Sequence, residues 1–525
     1  MKMVKGLLLG SAAGVIAVAG AQAADLPVKA KPVEYVKVCS LYGVGYYYIP
    51  GTDVCMRVGG YVRAEYSYGY GASMTVGPFA QPSSQAGRIS DNDFVMRSRA
   101  YITTETRQQT AYGTLRTFLN VGLNYDSPAG AAISANRAFI QIAGFTIGLA
   151  TSYYDFYAAA ATSYLQLPSS DTGDGGWKVF AYTAQIGNGW SASLSLEEPR
   201  RSVVTNTALA QGVTGAFNAN NTTVGASFND PFLVGNLPTD AREKINAPDI
   251  VAALRVDQAW GSAQVMGAAG VVGGSYYGTS LVGPWNNGHP DSKIGWAVGA
   301  GIKINFPMIA PGDYFQMQVN YAQGAVRYAG FTQPGTYSPA RFNGNELGLG
   351  YMSDGIFCGG NFGGQGIRGC SSGSSSDIQL TTAFGVNAAY EHFWTPSLRT
   401  SLWGAYLKVT YNDAAKGMID DATCGDRALS GGSSSQPAAP SGSLTGITNC
   451  NPDWSWWGIG SRTQWNVTKD FYMGVDVYYT KLQTGFEGYG NYRAAAGSSP
   501  ATGRYTITDQ DVVGTRVRFH RDIVP

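Results

Sequence analysis

Period-two alternation of apolar and polar residues runs through this chain in sixteen separate segments, and helical spacing is not sustained anywhere. The segments lie at 56–68, 94–107, 112–124, 134–143, 145–152, 178–186, 190–197, 249–258, 261–271, 295–306, 313–327, 378–393, 398–411, 454–466, 470–482 and 508–519. A strand points successive side chains to opposite faces, so each segment owns one apolar and one polar face. In the first, Met56, Val58, Val62, Ala64, Tyr66 and Tyr68 oppose Arg57, Arg63 and Glu65. In the second, Phe94, Met96, Ala100 and Ile102 oppose Arg97, Arg99, Thr103 and Glu105; in the third, Leu115, Leu119, Val121 and Leu123 oppose Arg116, Asn120 and Asn124. Later segments repeat the scheme, with Phe315, Met317, Val319 and Tyr321 against Gln316, Gln318 and Asn320, and Phe471, Met473, Val475, Val477 and Tyr479 against Tyr472, Asp476 and Tyr478.

The connections alternate as well. Seven are short, at 108–111, 144, 187–189, 259–260, 307–312, 394–397 and 467–469, and the eight between them are long. Such interleaving describes an up-and-down meander with one smooth and one elaborated rim, and an even strand number returns both chain ends to the smooth rim. A secreted soluble β protein would carry the same alternation with its apolar face inward. Three features turn the apolar face outward instead. The hairpins close evenly; Trp190, Trp260, Trp296, Trp394 and Trp465 sit near strand ends, where aromatic girdles lie; and the chain opens with an export signal. Lys2 and Lys5, an apolar run from Gly6 to Ala19 and the small-residue site Ala21-Gln22-Ala23 predict cleavage before Ala24. Nothing downstream offers about 18 consecutive apolar residues, so spanning helices are not expected.

The expectation is an all-β fold, a transmembrane antiparallel β-barrel of 16 strands in a bacterial outer membrane. Its divisions are a signal peptide over 1–23, a short periplasmic segment over 24–55, the barrel with long extracellular loops over 56–519, and a tail over 520–525. Closing the sheet is how a β structure satisfies every backbone group in hydrocarbon, and sixteen strands enclose an aqueous channel. The third long loop, 153–177, is expected to fold into that lumen with Asp155, Asp171 and Asp174. Facing it from the first four strands are Arg57, Arg63, Arg97, Arg99, Arg116 and Arg137. Opposed charges across a wet constriction set up a transverse field and an ion preference.

Composition agrees. Charged residues are 14% of the chain, against about a quarter in an ordinary globular domain, while 33 tyrosines and 70 glycines suit many strands and tight turns. A formal charge of +1 lacks the basic face that nucleic acid requires. The six cysteines fall in three local groups, Cys39 with Cys55, Cys358 with Cys370, and Cys424 with Cys450. Proximity favours three short disulfides among the fifteen possible connectivities, and the spacings do not match structural zinc, so no metal is expected. Catalysis by a histidine base has little to work with. His289 lies in a loop, His392 has outward parity near a strand end, and His520 lies in the tail. No enzyme activity and no cofactor are expected, and Gly355 to Gly373 lacks the lysine and strand-loop-helix setting of a phosphate loop.

Two stretches carry a family resemblance. Val36-Lys37-Val38-Cys39, Gly45-Tyr46-Tyr47-Tyr48-Ile49-Pro50-Gly51-Thr52-Asp53-Val54-Cys55 and Gly59-Gly60-Tyr61-Val62-Arg63 form the first; Arg137-Ala138-Phe139-Ile140-Gln141-Ile142-Ala143-Gly144-Phe145-Thr146 is the second. Here the sequence resembles the general porins of alphaproteobacteria, the rhizobial and Brucella group. The resemblance implies a sixteen-stranded homotrimer passing small hydrophilic solutes and ions, with outer-membrane lipid, lipopolysaccharide and the barrel assembly machinery as partners. Gly514-Thr515-Arg516-Val517-Arg518-Phe519 looks like the C-terminal assembly signal, although His520 to Pro525 follow. The long loops at 198–248, 328–377 and 412–453 keep a second function in view, a receptor or adhesin barrel with little conduction.

Overall fold

A computed structural model describes residues 37–69, 94–127, 130–165, 175–207, 247–277, 288–330, 340–343, 345–359, 376–423, 447–492 and 503–524. Sixteen long strands form the barrel: β1 (Cys55–Tyr68), β2 (Phe94–Thr110), β3 (Gly113–Asp126), β4 (Gly130–Ile142), β5 (Phe145–Ala150), β6 (Trp177–Gly187), β7 (Trp190–Glu197) and β8 (Asp249–Gln258), followed by β9 (Gly261–Val272), β10 (Lys293–Asn305), β11 (Tyr314–Gln323), β12 (Thr382–Phe393), β13 (Leu398–Thr410), β14 (Trp454–Asn466), β15 (Phe471–Gln483) and β16 (Gln510–Val524). Each pairs antiparallel with its neighbours in chain order, and β16 pairs with both β15 and β1, so the sheet closes on itself.

The short turns follow from local chemistry. Ala143 and Gly144 link β4 to β5 with φ of 49° and 87°, and Asn188 and Gly189 link β6 to β7 with φ of 50° and 77°. Two successive residues with positive φ give the two-residue hairpin whose twist matches that of the flanking strands, which explains the preference for Asn-Gly there.

The expected faces are the observed ones. Val62, Tyr66, Phe94, Met96, Ile102, Leu119, Leu123, Tyr321, Val475 and Val477 are exposed on the outside, whereas Glu65, Arg97, Arg99, Glu105, Gln318, Asn320 and Asp476 are buried within. The five tryptophans named above are also exposed. An apolar surface of this extent has no counterpart on a soluble monomer.

The last strand extends further than the sequence led us to expect. His520 to Val524, read as a tail after an aromatic stop, continue β16 in register with β1, with Arg63 opposite His520 and Gly60 opposite Val524. The alternation carries on past Phe519: His520 is buried and Ile523 exposed.

Residues before Arg57 form a unit of their own. In it Tyr47–Tyr48 pair antiparallel with Cys55 and Met56, Cys39 is disulfide-bonded to Cys55, and Tyr46 packs on that bond. Cys358 and Cys450 are also in disulfides, and Cys370 and Cys424 lie outside the described residues, as does the expected signal peptide.

Candidate functional site: the lumen

The third loop is strapped along the inner wall by side chains that the alternation had turned inward. Its described part, 151–165, gives three pairs of hydrogen bonds to three acceptors on well-separated strands. Glu197 at the end of β7 accepts from Ser152 Oγ (2.5 Å) and the Tyr153 amide (2.9 Å). Gln318 of β11 accepts through Oε1 from the amides of Phe156 (3.1 Å) and Tyr157 (2.7 Å). Asp476 of β15 accepts from Ser163 Oγ (2.7 Å) and the Tyr164 amide (2.5 Å). These acceptors are buried, so their bonds act with little competition from water. The Tyr164 carbonyl then accepts from Arg516 (2.6 Å), and its ring lies 3.9 Å from the Arg518 guanidinium. Burial pushes the Tyr164 hydroxyl up to about 12, so it stays neutral and donates to Gln464 (3.2 Å).

The described parts of the long loops form two small sheets of their own. Val203–Asn206, after β7, pairs parallel with Ser353–Phe357, after β11, which pairs in turn with Gln379–Leu380. A second small sheet joins Ala340–Asn343, Glu346–Leu349, Gly503–Ile507, Glu487–Tyr492 and Ile447–Asn449. Buried charges lock the first sheet. Arg200 pairs with Asp155 at 2.9 Å, Arg201 pairs with Asp249, and Tyr328 donates to Asp249 at 2.9 Å. Asp354 accepts from the amides of Ser202 (2.6 Å) and Val326 (3.0 Å).

Among the described residues, open space lies beside the early strands. A cavity of about 640 Å³ is bounded there by side chains of β1, β3 to β9 and the start of the third loop. Of the nine charged residues singled out from the sequence, Arg63, Arg137 and Asp155 line it. Arg57 and Arg116 meet instead at buried Glu105 (2.9 and 2.7 Å), joined by Arg107. Arg97 is held bidentately by Asp126 (2.5 and 2.6 Å), and Arg99 donates to Asn124. Asp171 and Asp174 lie outside the described residues. His520 joins the inner wall, accepting from Arg63 Nε (3.2 Å) and stacking with Tyr472.

A family model described as the porin subfamily matches residues 25–515. The chain belongs to that subfamily. Among curated proteins this porin is similar to Porin Omp2b of Brucella canis, 36% identical over 208 residues, which are 37% of this chain and 54% of the relative. Porin Omp2b of Brucella melitensis is 34% identical over the same length. The chain thus spans about half the length of the curated relatives it matches. Among solved structures it is similar to the outer membrane channel DcaP of Acinetobacter baumannii, with TM-score 0.49 and 12% identity over 91% of this chain and 99% of that one. The anion-selective porin from Comamonas acidovorans gives TM-score 0.40 and 8% identity over 90% and 100%.

Sequence reasoning missed several residues that organise this porin's lumen. Gln318 and Asp476 were placed inward by parity, but nothing marked them as loop anchors. Glu197 closes a strand and lies opposite Val179 in the ladder, so a carboxylate there was the available cue. Arg255, paired with Asp257 at 2.8 Å, also lines the cavity.

Proposed function

We propose that this porin forms a water-filled channel in the bacterial outer membrane for passive diffusion of small hydrophilic solutes and ions. One observation carries the reading: a closed sixteen-stranded sheet with an exposed apolar outside and a polar, arginine-bearing wall around an open cavity. Of sheet structures, hydrocarbon accepts only closed ones, and a polar inner face has a purpose only if it meets water. Family membership supports the same reading, and residues 1–23 supply the export signal it needs. The protein works as a homotrimer, assembled by the barrel assembly machinery and set in lipid and lipopolysaccharide. No catalytic role is assigned.

The constriction lies where the strapped third loop meets the early strands. Arg63 and Arg137 set its charge at first hand, while Arg57, Arg97, Arg99 and Arg116 shape the field through the carboxylates and amides that hold them. Asp155, neutralised by Arg200, fixes the loop more than it opposes the arginines; Asp171 and Asp174 would complete the acidic side.

The two loop sheets support a second reading, a barrel whose ordered outer surface is a receptor or adhesin. Swelling of vesicles carrying the purified mature protein separates the two. Rates that fall steadily with sugar size are expected of a diffusion channel; no swelling with any sugar, from a correctly folded barrel, would favour the receptor.

A further inference from the structure

Two phenylalanines stand on the wet side of the sheet. Phe118 of β3 shares its face with Arg116 and Asn120, Phe139 of β4 shares its face with Arg137 and Gln141, and the two are directly opposite in the ladder. Their rings stack at 5.3 Å with 18° between planes, half-buried, at the edge of the open cavity. The Arg116 guanidinium lies 5.3 Å from each ring. The lining also includes small polar side chains, Thr183, Ser191 and Ser193. The charged residues lining the space are Arg63, Arg137, Arg255 and Asp155, three positive to one negative.

A cross-strand aromatic pair stabilises a ladder wherever it sits, and that is the plainest account of these rings. It does not explain why they face the lumen. Apolar rings facing water forgo the burial they would gain on the lipid side of the same strands. Nor does it explain the arginines around them. Paired aromatic rings at the edge of an open space, with arginines in the same lining, are complementary to one kind of solute, a planar ring bearing a negative charge.

We infer that Phe118 and Phe139 form a stacking subsite for aromatic carboxylates on the channel wall, with the carboxylate directed to Arg63 and Arg137. The inference rests on the reading of this cavity as part of a conducting path. Stacking retains the ring in transit, and the surrounding arginines keep the solute from carrying an uncompensated charge into the narrow region. Neutral aromatics lack the second contact and aliphatic carboxylates the first.

The test uses the purified trimer in planar bilayers, with benzoate, acetate and benzyl alcohol as probes on a potassium chloride background. Benzoate at millimolar concentration is expected to reduce chloride current roughly three- to tenfold more effectively than acetate, the range that one stacking contact supplies. Benzyl alcohol should have no such effect. Phe118→Leu with Phe139→Leu keeps apolar bulk and should bring benzoate to near parity with acetate, each read relative to the variant's own potassium chloride current. A native channel that treats benzoate as it treats acetate overturns the inference, as does a leucine variant that keeps the benzoate effect. Binding of benzoate to the micelle-embedded barrel, read by saturation-transfer NMR, separates this claim from the channel reading. Benzoate bound by the native protein and not by the leucine variant, in a barrel that passes no chloride, would retain the subsite and reject conduction; no binding in that barrel would reject both.

Discussion

Replacing Asp476 by alanine should release the third loop near residues 158–165 from the wall. Asp476 is fully buried and takes two hydrogen bonds from that loop, from Ser163 Oγ and the Tyr164 amide, and a third from Trp403 Nε1 at 3.3 Å. Hydrogen bonds to an ionised group contribute roughly 1.5–3 kcal/mol each, so the two loop contacts together hold the segment by about 3–6 kcal/mol. Even the lower figure is more than a hundredfold in the detached population, since about 1.4 kcal/mol is a factor of ten. The straps at Glu197 and Gln318 remain, and Tyr164 keeps Arg516 and Gln464, so loosening should be confined to residues near 158–165. Single-channel recording of Asp476→Ala should therefore show larger and noisier conductance steps than the parent, with the heat-resistant barrel retained on gels. Asp476→Asn keeps one acceptor oxygen and should fall between the two. A quiet Asp476→Ala channel with parental conductance would refute the idea that this carboxylate sets the loop's position.

Three further outcomes follow from the geometry. Arg63→Gln with Arg137→Gln takes the cavity lining from three arginines and one aspartate, a formal +2, to one of each, a formal 0; reversal potentials in a salt gradient should move toward cations. Arg97→Gln with Arg99→Gln should move them less, because those side chains are held by Asp126 and Asn124 away from the cavity, and equal shifts from both pairs would contradict this. Reduction should leave the strand circular dichroism unchanged while exposing residues near 39–55 to protease, because the Cys39–Cys55 bond staples only the small N-terminal unit; collapse of the strand spectrum on reduction alone would show the sheet to depend on disulfides. Burial, against the pull of Arg201, the amides of Val326 and Ser202, and Arg327, pushes the Asp354 carboxyl from an ordinary 3.8 up to about 6. The folded loops then hold that proton more tightly than the unfolded chain, so the loop lock gains stability as pH falls through 6, and the gain is complete below about 4. Protection of the Ser202 and Val326 amides, corrected for intrinsic exchange, should be higher at pH 5 than at pH 7, and Asp354→Asn should remove the difference; greater protection at pH 7 would reverse the assignment.

Strand number, strand faces and the smooth rim were legible because a closed membrane barrel imposes one local rule on every strand. Arg97, Glu105, Gln318 and Asp476 were all turned inward by parity alone. Parity stops at direction, however. Whether Arg97 faces open water or Asp126 depends on register between β2 and β3, and the pairing of Asp155 with Arg200 joins two loops 45 residues apart. The pairing of the loops after β7 and β11 with each other was equally hidden, a contact that no periodicity announces. The end of β16 was misplaced for a simpler reason: the aromatic Phe519 looked like a stop, while the partner residues of β1 that prolong the strand lie at the far end of the sequence.

Conductance of the purified mature protein in a planar lipid bilayer tests the central claim most directly. Large ohmic steps, appearing and closing in groups of three, are the predicted result for an open trimeric diffusion channel. A correctly folded, heat-resistant barrel that inserts and passes no current would contradict it.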